Sequence, residues 1–188
     1  MVLSKLAEEV SSTVVATIKG TDDVLTAFRQ TVKNQIVGAL KDVGDMTTGG
    51  MEAVSDVVKG AVSGASGVGT TVADSVKGAV SSAIDGVSEV GGDVVEAAQN
   101  AAQGAVSAVA ETGGDVASAA ISAVEGAIDA AGSVGTSGSD ATKKAVLGVI
   151  KAADEISDEV GKSVRNALLS AASLPKDLVE KVIKGSEN

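Results

Sequence analysis

Apolar residues recur along this chain at steps of three and four, as in Val72, Val76, Val80, Ala83, Val87 and Val90, with polar residues between them. That spacing sets the apolar positions on one face of an α-helix. The pattern is itself repeated. A shift of 22 residues lays Gly91-Gly92-Asp93-Val94 on Gly113-Gly114-Asp115-Val116, and the match runs through eight units, Leu3 to Leu178, without an insertion or deletion. One column is small throughout: Ala16, Gly38, Gly60, Ser82, Gly104, Gly126, Gly148 and Ser170. Two residues on, the column is aliphatic from Ile18 through Leu40, Val62, Ile84, Val106, Ile128 and Ile150, and closes on Ala172. A register this strict across several columns marks a structural repeat.

Twenty-two residues over six turns is about 3.67 per turn, which disfavours a heptad coiled coil. The unit boundaries carry breakers followed by caps: Thr48-Gly49-Gly50, Gly69-Thr70-Thr71, Gly91-Gly92-Asp93, Gly113-Gly114-Asp115 and Gly135-Thr136-Ser137-Gly138. Glu52, Asp74, Glu96 and Asp140 follow the capping positions by three residues and approximate a capping box. The pattern predicts helices near 3–19, 21–44, 51–67, 71–90, 93–111, 115–132 and 139–173, and a short one after Pro175. The fold class expected is all-α: a helical repeat array or elongated bundle forming a single repeat domain, 1–188, with a charged tail at 179–188. A continuous helix through the glycines is the alternative, on a lipid surface.

Composition sharpens this picture. The apolar residues are nearly all Ala and Val, and Phe28 is the one aromatic residue in 188. The chain must therefore use thin, closely spaced layers of helices or an external apolar surface. The 23 glycines cost about 1 kcal/mol each relative to Ala if they lie inside helices. Neighbours spaced by four, Gly60/Gly64, Gly78/Ser82/Gly86 and Gly104/Ala108, let two backbones approach and the adjacent aliphatic ridge dock. The small and aliphatic columns are thus the candidate packing and assembly residues, within one chain and between chains.

The net charge of −10 leaves no basic stripe for nucleic acid. With no His, Cys, Tyr or Trp, Ser–His and Cys–His catalysis and imidazole or thiolate metal sites are excluded. No catalytic, cofactor-binding or metal-ligating residue is assigned. The acid pairs Asp22/Asp23, Asp154/Glu155 and Asp158/Glu159 lack Ca²⁺-loop spacing and read as solvation and helix N-terminal charge. The run Gly64–Thr71 has the glycines of a phosphate loop but not its lysine. Lys59, Lys77, Lys143 and Lys151 are scattered and expected to be solvated. Charges within residues 1–18 interrupt any secretory signal core, and no run is apolar enough to span a bilayer, so a cytoplasmic protein is expected.

At Ser75-Val-Lys-Gly-Ala-Val80 and Val58-Lys-Gly-Ala-Val62 the texture resembles the 11-residue-repeat amphipathic helices of synucleins and perilipins, and is similar to late-embryogenesis-abundant proteins. That resemblance, a matter of pattern over the whole chain, implies coating of lipid droplets, membranes or other hydrophobic inclusions. Few lysines and the net negative charge depart from it. The leading expectation from the residues is a non-enzymatic structural protein that self-assembles with its own copies into a filament, sheet or shell. The alternative is an amphipathic coat on a lipid or hydrophobic surface. Ice binding stands behind both, since the threonines do not recur in one column, and desiccation protection carries the same sequence signature as coating.

Overall fold

The computed structural model describes residues 5–18, 23–43, 48–66 and 69–186. Among them lie nine helices and no strand: α1 (Lys5–Ile18), α2 (Val24–Val43), α3 (Thr48–Ala65), α4 (Val72–Glu89), α5 (Val94–Glu111), α6 (Val116–Ser133), α7 (Gly138–Ile156), α8 (Asp158–Ser170) and α9 (Lys176–Ser186). The chain is an all-α helical repeat array; the glycine-rich boundaries at Gly69, Gly91, Gly113 and Gly135 are turns, whereas Thr48, Gly49 and Gly50, expected as a break, form the first residues of α3.

Four turns are built alike. Gly69, Gly91, Gly113 and Gly135, 22 residues apart, all take a positive φ of 71–82°, which a side chain would strain. After α4, Gly92 N–H reaches back to the carbonyl of Val87 at 2.9 Å and Gly91 N–H to that of Ser88 at 3.1 Å. After α5, Gly114 and Gly113 bond in the same way to Val109 and Ala110. These are Schellman closures that satisfy the last carbonyls of each helix. The next helix then starts on a side-chain cap: Thr71 Oγ1 accepts from Asp74 N–H at 3.1 Å, Asp93 accepts from Val95 and Glu96, and Asp115 from Ser118 at 3.1 Å. Gly69 of the phosphate-loop look-alike is therefore a helix-ending turn residue, and Gly64 lies inside α3.

The single helix expected over 139–173 is two. Ser157 is extended, φ −172° and ψ 159°, and its side chain caps Val160 N–H while Asp158 and Glu159 occupy the first turn of α8. A Ser followed by two acids is a helix start. Apolar periodicity continues across it, and that continuity hid the break.

Each helix packs on its neighbour in sequence and, α8 excepted, more extensively on the helix two places away. Thus α1, α3, α5, α7 and α9 form one layer, and α2, α4, α6 and α8 the other. Helices two apart run parallel, since Gly60 and Gly64 of α3 lie against Ala7 and Ser11 of α1 in the same order. The core between the layers is thin. In α5 it is Ala97, Ala98, Ala101, Ala102, Ala105, Val106, Ala108 and Val109, whereas Phe28, Ile36 and Leu40 fill it at α2.

Candidate functional site

The small column separates into two populations. Gly60, Gly104, Gly126 and Gly148 are buried under the helix two places earlier. A Cβ at Gly104 would run into the Ser55 carbonyl, one at Gly148 into that of Gln99, and one at Gly126 would lie 2.6 Å from the Lys77 oxygen. Each of these partners precedes its glycine by 49 residues, two repeats and just over one turn. Ser82 is also buried. Hydrogen in place of a side chain lets the carbonyl of one helix sit on the Cα of the next, which is the close approach the column implied.

The remaining members differ. Ala16 and Ser170 are exposed, and nothing lies within 4 Å of where a Cβ would stand on Gly38. The expectation that they pack helix on helix within the chain is corrected. Ala16 and Gly38 belong to α1 and α2 and face the side on which, among the described residues, no other helix packs; Ser170 lies at the exposed end of α8. The aliphatic column is more uniform. Ile18, Leu40, Val62, Ile84, Val106 and Ile150 are buried, and Ile128 is half-buried against the same core.

Of the lysines expected to be solvated, Lys151 is exposed, whereas Lys59, Lys77 and Lys143 are paired. Lys59 of α3 pairs with Glu111 of α5 at 2.6 Å, Lys77 of α4 with Asp129 of α6 at 3.0 Å, Lys33 of α2 with Glu89 of α4 at 2.7 Å, and Glu96 of α5 with Lys144 of α7 at 2.8 Å. Every one of these ties a helix to the helix two places on, so the charges follow the glycines. Lys143 pairs within α7, with Asp140 at 3.1 Å.

The pair of Lys33 with Glu89 moves a titration. The hydrogen bond from Lys33 holds Glu89 below the ordinary carboxylate range, with its charge adding to the effect. Burial pushes Asp85 up, opposed by the charges of Lys33 and Arg29. Asp154 is lowered by a two-pronged bond from Arg165, 2.7 Å on each oxygen, and a Cβ on Gly161 would fall on that pair. Of the acids read as solvation and helix N-terminal charge, Asp23 caps α2 through Thr26 N–H at 3.0 Å and Asp158 and Glu159 stand in the first turn of α8, whereas Asp154 joins α7 to α8; Asp22 lies outside the described residues. Among the described residues no cluster of His, Cys, Asp or Glu is arranged to hold a metal.

No family model and no characterised relative matches this sequence. A solved structure does. The crystal structure of the de novo designed helical repeat protein DHR7 aligns with 96% of this chain over 95% of its own, at a TM-score of 0.52 and 20% identity. The likeness is one of fold alone. It places the two-layer stack among helical repeats, in which each unit contacts its neighbours and the end units carry the burden of solubility.

At the N-terminal end that burden is visible. Where α3 buries Ala53, Val57 and Ala61, α1 carries Glu9, Thr13 and Thr17 two repeats earlier; where α4 buries Gly78, Ala79 and Gly86, α2 carries Asn34, Gln35 and Asp42. Ala16, Gly38 and Ala39 stay small between them. At the other end α9 packs on α7, the seat a further helix of that layer would take, and presents Lys176, Glu180, Lys181 and Lys184 outward. No helix among the described residues is long and apolar enough to cross a membrane.

Proposed function

We propose that this chain is a non-enzymatic structural protein that associates with a second copy of itself through its N-terminal face. One observation carries the reading: Gly38, a member of the column that seats helix on helix everywhere inside the stack, has open space beside it, and Ala16 is exposed next to it in the repeat. A helix laid there meets a small-residue surface rimmed by Asn34, Gln35, Glu9 and Asp42, not a bulky or apolar one. A two-fold pair, the same patch used on both copies, is the commonest way to cover such a face. A filament, sheet or shell requires a second joint, and α9 obstructs the head-to-tail one. Coating of a lipid or other hydrophobic surface, the second role considered, requires the stack to open. Short turns join the layers at both edges, so opening breaks the contacts between helices two apart, where the buried glycines and the inter-helix ion pairs lie.

Sedimentation velocity of the full chain across a concentration series tests the proposal, alone and with neutral or anionic vesicles. The wild type is expected to sediment as a reversible dimer, and Ala16→Arg with Gly38→Arg as a monomer of unchanged helicity. A wild type monomeric at every concentration, or a double variant that still dimerises, overturns it. Helicity that rises only on vesicles, with loss of the sharp thermal transition, transfers support to the coat.

A further inference from the structure

A groove runs along α5 on the outer side of its layer, with α3 and α7 as its walls. It consists of two adjoining hollows of 820 Å³ and 460 Å³ that share Ser55, Asp56 and Gln103. Its floor is Gln99, Gln103 and Ser107, four residues apart on α5. Among the described residues the side-chain amides of Gln99 and Gln103 have no hydrogen-bond partner, and Asp56 and Glu155 on opposite walls have no ion-pair partner. The other layer contrasts with this. On α4 the residue two repeats before Ile121 is Lys77, and it is bound to α6.

We infer that this groove is a docking surface for an extended, lysine- or arginine-rich peptide segment of another protein. A carboxamide both donates and accepts, which suits the alternating N–H and C=O groups of a peptide backbone. Four residues of helix rise about 6 Å, and two residues of extended chain about 6.6 Å, so three floor residues keep pace with a strand laid along α5. Alternate side chains of that strand then point to the two walls. There Asp56 and Glu155 await cations, reinforced by Glu52 and Asp93 and opposed by Lys151, while Lys59 at the same groove is taken up by Glu111. A helical occupant would leave the amides unsatisfied, because its own backbone groups are already paired, and an acidic one meets the wrong charge. The surface lies away from the N-terminal face, so this inference and the dimer fail independently.

The test uses the full-length protein and a fluorescein-labelled nonapeptide of repeated Lys-Lys-Ser, which presents lysines to both walls, with a Glu-Glu-Ser peptide as control, read by anisotropy and by the side-chain amide resonances of Gln99 and Gln103. Saturable binding of the Lys peptide with shifts at both amides is expected. Asp56→Lys with Glu155→Lys should weaken it by about tenfold or more, and Gln99→Ala with Gln103→Ala by about three- to tenfold, with circular dichroism unchanged. Binding that leaves both amides unshifted, survives either double variant, or is matched by the Glu peptide overturns the inference.

Discussion

Gly148 and Gly38 occupy the same column of the repeat, five units apart, and live in different worlds. Gly148 lies beneath the Gln99 backbone of α5, where there is no room for a Cβ; Gly38 has nothing within reach. Identity in the repeat therefore fixes where a residue points, and the presence of an earlier helix decides what it meets. The interior of the stack uses the column for cohesion, and its N-terminal end leaves the same column open.

The largest effect should come from a bulky residue at each of these two positions. Gly148→Leu drives a side chain into α5 and is expected to cost about 3–5 kcal/mol in urea unfolding. Gly38→Leu places it in open space and should gain up to about 1 kcal/mol from helix propensity. Equal losses would erase the distinction.

A second pair contrasts turn and helix. Gly91→Ala forces a side chain into positive φ and should cost about 1–2 kcal/mol. Gly132→Ala, in open space inside α6, should gain up to about 1 kcal/mol. Thermal melts of both variants would show whether the turn glycine is conformational and the helical one merely tolerated.

Smaller still is the response to pH, which separates two carboxylates. Asp154 is held low by Arg165, so its contribution is present above the unfolded carboxylate pKa, about 3.9, and is lost as pH falls through its lower folded value. Asp85 is raised by burial, so its charge opposes folding at neutral pH, and acidification through its folded value relieves that strain. Asp154→Asn is expected to flatten the loss of stability in acid, and Asp85→Asn to steepen it while stabilising the protein at pH 7. Stability curves from pH 7 to pH 3 displaced in parallel would contradict both assignments.

Much of this architecture was legible in the residues. The three-and-four spacing and the glycine boundaries located the helices, because a Schellman turn needs a residue at positive φ and a cap needs a short oxygen-bearing side chain. The break at Ser157 was masked by apolar periodicity that persists on both sides of it. Gly60, Gly104, Gly126 and Gly148 could be read as close-approach sites, but not the carbonyls they meet. Ala7, Ser55, Lys77 and Gln99 share no residue type, since the contact is to backbone. Nor could a column reveal its own ends: Glu9, Asn34, Gln35 and Asp42 signal a cap only once helices two apart are known to be neighbours. The pairing of Lys59 with Glu111 and of Lys33 with Glu89 was hidden for the same reason.

The central claim is that hydrogen in place of a side chain lets every second helix nest on the one before. Single Gly→Ala variants at Gly38, Gly60, Gly104, Gly126 and Gly148, unfolded in urea at concentrations well below self-association, test it most directly. The four interior variants are predicted to lose about 1–3 kcal/mol each, and Gly38→Ala to gain up to about 1 kcal/mol. A gain at all five positions, as helix propensity alone would give, contradicts it.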